Sequence, residues 1–284
     1  MPWAWALPAL FFLVAIHYVA VAAGAWYAFT DWSGTHAGAK YVGLSNFRQI
    51  LHDHTARTAL VNTVELAVSF VVIVNVVGLV LALTLHRTLK SRNVVRSLFF
   101  APVVLSPLAT AYVWSFVFDY NGPLNAFFKA IGMPSAQTSW LGSPTWALWT
   151  ILVVLVWQFA GLAMVFYLAG LQGIPDELWE ASAVDGASTM FRLRRVILPQ
   201  LAPALTVSFT FMMILGLRVF DQVMALTGGG PVDATETLAT QVYKQTWVYG
   251  RFGYGAALAL VLSLLIAVIA LVQLVVFRAR ERRL

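Results

Sequence analysis

Few polar residues in this chain are spaced so that they could bind a metal ion or catalyse a reaction, and none of them form a recognisable catalytic set. His52 and His54, on either side of Asp53, are the only closely spaced histidines. Such a triplet can bind a metal ion, but it falls in a predicted outer loop, where a solvated surface is the commoner role. The sequence therefore predicts no metal site and no catalytic residues.

A second candidate is the run of glycines at 228–230, a type of sequence that can cradle phosphate groups. Pro231 follows it, and the Lys and Ser/Thr that complete a phosphate-binding loop are missing. The pattern favours a helix-terminating turn, so we expect this chain to hydrolyse no ATP and to hold no cofactor itself. The apolar segments also lack the paired Asp, HExxH or Ser–base sets of an intramembrane protease.

Three ionisable side chains fall inside long apolar segments, where such groups often mark ion or substrate pathways. Glu65 is close enough to the outer end of its segment to reach the lipid headgroups. Arg218 and Asp221 are spaced i, i+3, so they are predicted to be able to pair on one helix face. The roles left open for them are a structural ion pair or an interfacial anchor, and an outer gate or the lining of a path. An ion-gradient-driven secondary transporter is therefore the alternative function.

The densest group of charges is an internal segment between two apolar runs, LWEASAVDGASTMFRLRRVILP at 178–199. Pro175 suits the first position of a helix, and Gly186 reaches the left-handed backbone angles that end one. Ser188 can cap a second short helix, and Pro199 is predicted to open the next apolar run. The segment is either an interfacial connector lying on lipid headgroups or a docking element for a cytoplasmic partner.

Long apolar runs are the elements that position these residues. The 284-residue chain is 60% hydrophobic and 11% charged, which is too apolar for a soluble domain and predicts lipid as its solvent. Because such runs satisfy their backbone only as helices, we predict an all-α membrane protein with six transmembrane helices in a single domain, 1–284. The approximate spans are 4–29, 59–85, 95–118, 145–171, 198–221 and 254–277, with a helix–Gly–helix loop at 173–197 between the fourth and fifth.

Lys and Arg concentrate in the second and fourth connections and in the C-terminal tail. Because basic residues are retained on the cytoplasmic side, this distribution predicts that both termini and the 178–199 segment are cytoplasmic. Topology therefore explains the net charge of +6, and no nucleic-acid partner is expected.

The 178–199 segment resembles the cytoplasmic EAA loop of ATP-binding-cassette (ABC) importer permeases. That pattern is Glu-Ala-Ala, three residues, Gly, nine residues and Ile-x-Leu-Pro; here Ser replaces the second Ala and Val replaces the Ile. The ATPase-coupling residues that the resemblance implies are Glu180, Ala181, Ser182, Asp185, Gly186, Leu198 and Pro199. Motifs that resemble the maltose- and glycerol-3-phosphate-type sugar permeases are YVGLSNF (41–47), Asn62-Thr63, FFAPVVLS (99–106), Trp140-Leu141, AGLQGIP (169–175) and LTGGGP (226–231).

This resemblance implies a permease subunit of a binding-protein-dependent sugar importer in the bacterial inner membrane, forming half of the translocation path. Its expected partners are a second homologous permease, usually a different chain, two ABC ATPase subunits, an extracytoplasmic sugar-binding protein and membrane lipid. ATP and Mg²⁺ would bind to the ATPase subunits, where Glu180 would meet a basic residue and Gly186 would set the turn. Closure of the ATPase pair would switch the permeases from inward-open to outward-open.

In this family the sugar path runs along the middle of the fourth and fifth spans. The substrate-path residues implied here are Gln158, Phe159, Met212, Leu215, Gly216, Val219 and Asp221. Gln158 also suits an interhelical hydrogen bond, and Gly216 leaves room either for a ligand or for close helix packing. An oligosaccharide, a monosaccharide and glycerol 3-phosphate all remain open as substrates.

Overall fold

The structure, a computed structural model, describes residues 3–35, 38–86, 91–175, 177–178 and 186–281. Within these ranges the fold is helical, with one isolated β-bridge between Thr30 and Tyr41, so the predicted all-α class is confirmed. The helices are, in chain order, α1 (Leu7–Tyr27), α2 (Ser45–His52), α3 (His54–His86), α4 (Arg92–Val104), α5 (Pro107–Val117), α6 (Pro123–Ala130), α7 (Ala147–Gln172), α8 (Thr189–Gln200), α9 (Ala202–Leu217), α10 (Asp221–Leu226), α11 (Leu238–Tyr243) and α12 (Phe252–Glu281).

Four helices, α1, α3, α7 and α12, are each long and apolar enough to cross a membrane. Two further spans are bent pairs, in which α4 is followed by α5 and α8 is followed by α9. The predicted number of six spans is therefore confirmed when each bent pair counts as one span. The spans predicted at 95–118 and 198–221 are not single helices, however, and each bend has a local cause.

The α4–α5 pair bends by 100° between Val104 and Pro107. Pro107 has no N–H and disfavours helical angles in the residue before it, so Ser106 is extended, with φ −63° and ψ 143°. The Ser106 hydroxyl then caps α5 by accepting from the N–H of Ala109 at 3.2 Å. One apolar run thus folds as two helices because its proline and serine start a new helix inside it.

The α8–α9 pair bends by 71° at Leu201, which is fully buried. Pro199 lies in the last turn of α8, just before the bend, and α9 begins at Ala202, with Pro203 as its second residue. That Pro199 opens the fifth span stays a prediction. The N–H of Leu198 bonds to the carbonyl of Leu193 five residues back, and this wide turn makes room before the Pro199 ring.

The chain divides into two compact units. The first contains residues 1–61 and 236–265, with a small core formed by Ala56, Ala59, Leu238, Tyr254 and Leu258. The second contains residues 62–235 and 266–284, and its larger core is formed mainly by α3, α7 and α9. The single domain predicted over 1–284 stays a prediction.

Glycines allow close helix packing around α7 in the second unit. A Cβ on Gly78 of α3 would lie 2.5 Å from the Cβ of Ala163, and a Cβ on Gly161 would lie 2.0 Å from the carbonyl oxygen of Phe99. Small residues at such positions are typical of helix packing in membranes, where close approach supplies the attraction. The helix α7 is thereby held between α3 and α4.

Candidate functional site

The cytoplasmic segment predicted at 173–197 is described on both sides of a gap. Gly186 has φ +70°, the left-handed conformation expected of a helix-ending glycine. The Ser188 hydroxyl accepts a hydrogen bond from the N–H of Phe191 at 3.3 Å, which confirms the predicted cap of a second short helix. Four of the predicted coupling residues lie outside the described residues, namely Glu180, Ala181, Ser182 and Asp185.

The helix α8 has a buried face and an exposed apolar tip. On the buried side Leu193 packs against the core and Ile197 is part of it. Met190 and Phe191, by contrast, are 56% and 55% exposed. The predicted coupling residues Leu198 and Pro199 are half-buried at the end of the same helix. The segment is therefore anchored through one face while it presents two large apolar side chains at its free end.

A cavity of about 430 Å³ lies beside α9 in the second unit. Its lining residues are Pro107, Phe159, Phe211, Ile214, Leu215, Arg218, Val219, Phe220, Asp221 and Gln222. Four predicted path residues, Phe159, Leu215, Val219 and Asp221, thus lie together in its wall. The cavity combines aromatic faces with an amide and two charged groups, a lining typical of sites for polar organic ligands.

The other two predicted path residues of α9 face elsewhere. Met212 is fully buried in the core. A Cβ on Gly216 would lie 3.0 Å from the Phe70 ring and 3.2 Å from the Cα of Ala67, so Gly216 serves close helix packing rather than ligand space. The stripe of α9 that lines the cavity therefore runs through residues 211, 214, 215 and 218, about one position away from the predicted stripe.

Arg218 and Asp221 both line the cavity but do not share a helix. The helix α9 ends at Leu217, and α10 begins at Asp221 after Phe220 at φ −129° and ψ −57°. Because the i, i+3 geometry needs a continuous helix, the predicted pairing is wrong: in the described part of the chain these two side chains form no ion pair. Both charges are exposed and can meet polar groups that enter the cavity.

Gln158 belongs to a buried junction of three elements. The side chain is 1% exposed in the middle of α7. Its Nε2 donates to the carbonyl of Leu105 at the α4–α5 bend, at 3.2 Å, and its Oε1 accepts from Nε2 of Gln222 in α10, at 2.9 Å. Of the two roles that the sequence left open, the geometry matches the interhelical hydrogen bond. Gln222, rather than Gln158, lines the cavity.

A second polar cluster lies across α3, α7 and α9, and the sequence did not predict it. The Oδ1 atom of Asn75 accepts from the hydroxyls of Tyr167 and Ser208, both at 2.6 Å. All three side chains are buried. The available signal was an Asn inside an otherwise apolar segment, because such a residue usually finds a partner on a neighbouring helix.

The glycine run and Asp53, the residue between the two histidines, have structural roles. Residues 228–230 follow the end of α10, and the N–H of Gly228 bonds back to the carbonyls of Val223 and Met224, so the predicted helix-terminating turn is confirmed. Asp53 accepts from the N–H of Thr55 at 2.9 Å and caps the start of α3. Among the described residues no group of three His, Cys, Asp or Glu is placed to hold a metal ion.

Comparison with known proteins places these features among transport proteins. The family model described as binding-protein-dependent transport system inner membrane component matches residues 74–282. A probable ABC transporter permease protein of Pyrococcus horikoshii is 35% identical over 266 residues, covering 93% of this chain and 91% of its own. A multiple sugar-binding transport system permease protein of Streptococcus mutans is 34% identical over 272 residues, covering 96% and 93%. In a crystal structure of a bacterial ABC transporter involved in the import of the acidic polysaccharide alginate, one chain matches with a TM-score of 0.82 at 22% identity, over 99% of this chain and 95% of that one.

Proposed function

Because the chain belongs to the family of binding-protein-dependent transport system inner membrane components, we propose that it is the permease subunit of an ATP-driven sugar importer. The names of its relatives support sugar as the substrate class, since that of the Streptococcus mutans protein specifies multiple sugars. A trehalose/maltose transport system permease protein of Thermococcus litoralis is also 32% identical over 85% of this chain. The chain itself catalyses no covalent chemistry. Its role is to form part of the translocation path and to switch that path between inward-open and outward-open states.

The exposed apolar tip of α8 carries the proposal most directly. Met190 and Phe191 are more than half exposed although, on the same helix, Ile197 is buried and Leu193 is partly buried against the core. Because the charges of the 178–199 segment predict that it lies in the cytoplasm, exposed apolar side chains on it can act as anchors for a partner protein. We assign them, together with Glu180 and the turn at Gly186, to the contact with an ATPase subunit.

The cavity beside α9 is proposed as part of the sugar path. Aromatic rings such as Phe159 and Phe220 can stack on the apolar faces of a sugar, while Arg218, Asp221 and Gln222 can bond to its hydroxyl groups. The helix α9 connects this cavity to the α8 segment through a single bend, at Leu201. The same element therefore joins the proposed ATPase contact to the proposed path.

The remaining assignments follow from these two sites. Two ATPase subunits would hold ATP and Mg²⁺, and this chain would hold no cofactor. A second homologous permease would complete the path, and an extracytoplasmic sugar-binding protein would deliver the substrate. The concentration of Lys and Arg in the 178–199 segment and the C-terminal tail supports an inner-membrane orientation with both termini in the cytoplasm.

The test is purification of the intact complex through a tag on this chain. Phe191→Asp should abolish co-purification of the ATPase subunit, because it places a charge in an apolar contact. Phe127→Asp is the matched control, since Phe127 of α6 is 57% exposed and lies in the predicted outer loop. Mass spectrometry of the sugar held by the co-purified binding protein identifies the substrate. An undiminished ATPase yield with Phe191→Asp would contradict the proposed contact.

A further inference from the structure

The first turn of α9 packs very closely against the end of α7. At the contact point on α7, Gly170, there is no room for a side chain. A Cβ on Gly170 would lie 2.6 Å from the Cβ of Ala204 and 2.9 Å from Cδ2 of Leu201. Leu201 is the bend between α8 and α9 and is fully buried. Gly170 therefore forms the seat on which this bend rests.

A layer of hydrogen bonds lies next to this seat. Tyr167 precedes Gly170 by about one turn of α7, and Ser208 follows Ala204 by about one turn of α9. Both hydroxyls donate to Oδ1 of Asn75 in α3, and Nδ2 of Asn75 in turn donates to the carbonyl of Val71 at 2.7 Å. The close contact at Gly170 and this polar layer of hydrogen bonds thus hold the same end of α9 from two sides.

We call these six residues the clasp. They are Asn75, Tyr167, Gly170, Leu201, Ala204 and Ser208. The clasp lies between two regions with different tasks, because α8 ends just before it, whereas Phe211, Ile214 and Leu215 of α9, and Arg218 just after α9, line the cavity beyond it. A loose bend at Leu201 would let α8 move without moving the rest of α9.

We propose that the clasp joins the α8–α9 bend to α7 and α3 as one rigid body, so that displacement of the coupling segment reaches the cavity wall. In this inference, which rests on the proposed function, Gly170 is a positioning residue. Any added side chain at Gly170 separates α9 from α7 and allows the bend at Leu201 to absorb the motion. The polar layer has the same effect on the next turn, since Asn75 holds α7 and α9 through one oxygen atom.

The experiment uses spin labels in the reconstituted complex, with cysteine-free partner subunits, because this chain contains no cysteine. One label is attached at Arg194→Cys, an exposed position of α8 outside the proposed ATPase anchors, and, in a separate sample, one at Ile214→Cys on the cavity wall. The probe is the non-hydrolysable nucleotide AMP-PNP with Mg²⁺. In the otherwise unchanged chain both labels should change mobility. With Gly170→Ala the Arg194 label should still respond, whereas the Ile214 response should fall by at least about fivefold, the low end for coupling between distant sites.

A second substitution separates coupling from general packing. Ala204→Gly removes the nearer of the two atoms that a new Cβ at position 170 would meet, and the other, Cδ2 of Leu201, is the end of a flexible side chain. Gly170→Ala/Ala204→Gly should therefore restore the Ile214 response. Gly24→Ala is the matched control, because Gly24 is a helical glycine with nothing within 4 Å of an added Cβ, and it should leave both responses unchanged. If Gly170→Ala does not assemble, Tyr167→Phe/Ser208→Ala replaces it and should show the same selective loss at Ile214.

The outcomes distinguish the two proposals. An Ile214 response with Gly170→Ala that equals that of the unchanged chain would overturn the clasp, as would an equal response with the polar-layer variant. Failure of the rescue by Ala204→Gly in an assembled complex would also overturn it. Absence of any Arg194 response in the unchanged chain would instead contradict the proposed contact with an ATPase.

Discussion

Replacing Gln158 by Leu tests whether this residue belongs to the sugar path or supports the fold. The change keeps the approximate size of the side chain and removes its amide. It deprives the Leu105 carbonyl at the α4–α5 bend of its donor and Gln222 of its acceptor. Both hydrogen bonds are direct, at 3.2 and 2.9 Å, and the Gln158 side chain is 1% exposed.

The size of the effect follows from the two hydrogen bonds. Interhelical bonds in membrane proteins contribute on average about 0.6 kcal/mol and at most about 1.7 kcal/mol. Two such bonds therefore contribute roughly 1–3 kcal/mol, and an unpaired buried partner costs about 1–3 kcal/mol. Because Gln222 also lines the cavity and can turn towards water there, we expect a total destabilisation of about 2 kcal/mol.

The assay combines thermal unfolding of the purified complex with sugar uptake by proteoliposomes. Gln158→Leu should lower the unfolding temperature and the maximal rate of uptake, while the half-saturating concentration of the binding protein loaded with sugar stays the same. Gln158→Leu/Gln222→Leu should recover part of the stability, because it removes both amides of one bond.

A different pattern would refute this reasoning. If Gln158→Leu left the unfolding temperature unchanged, raised the half-saturating concentration and gained nothing from Gln222→Leu, Gln158 would be a sugar contact. Gln158→Glu is a useful companion variant, since it places a carboxyl group at this 1% exposed position within a membrane-spanning helix. Because burying a charge costs more than losing a hydrogen bond, it should be at least as destabilising as Gln158→Leu.

Three further predictions concern other parts of the chain. Lys244→Met leaves the fully buried Glu236 without its ion-pair partner. It should destabilise the protein by about 3–5 kcal/mol, measured by thermal unfolding, and adding Glu236→Gln should recover most of this loss. Gly161→Ala places a Cβ about 2.0 Å from the Phe99 carbonyl oxygen and should remove most of the folded protein in size-exclusion chromatography. In Gly186→Ala the added Cβ has no neighbour within 4 Å, but the residue must adopt φ +70°. The resulting backbone strain of roughly 1–2 kcal/mol should weaken binding of the ATPase, measured by titration, and Gly186→Asn should weaken it less.

The sequence was sufficient for the features that local chemistry determines. Apolar runs identified the spans, Ser188 identified the start of α8, and Gly186 identified a left-handed turn. Each of these follows from one residue type and its immediate neighbours, so no tertiary information was required.

The features that the sequence did not predict depend on neighbouring helices. Helical periodicity grouped Met212 with Leu215, but Phe70 and Ala67 of α3 determine that Gly216 packs inward while Phe211 faces the cavity. The bends at 105 and 201 divide apolar runs whose hydropathy is continuous, so hydropathy alone does not locate them. Pro107 and Pro203 were the available signals, because proline at the first or second position of a helix indicates a new start.

The measurement that tests the central claim most directly is sugar uptake by proteoliposomes that contain the complex and its binding protein. The sugar is the one identified on the co-purified binding protein. We predict that uptake requires ATP inside the proteoliposomes, is unaffected by an ionophore and is lost with Phe191→Asp. Uptake by this chain alone, driven by an ion gradient and abolished by the ionophore, would contradict the account and support a secondary transporter.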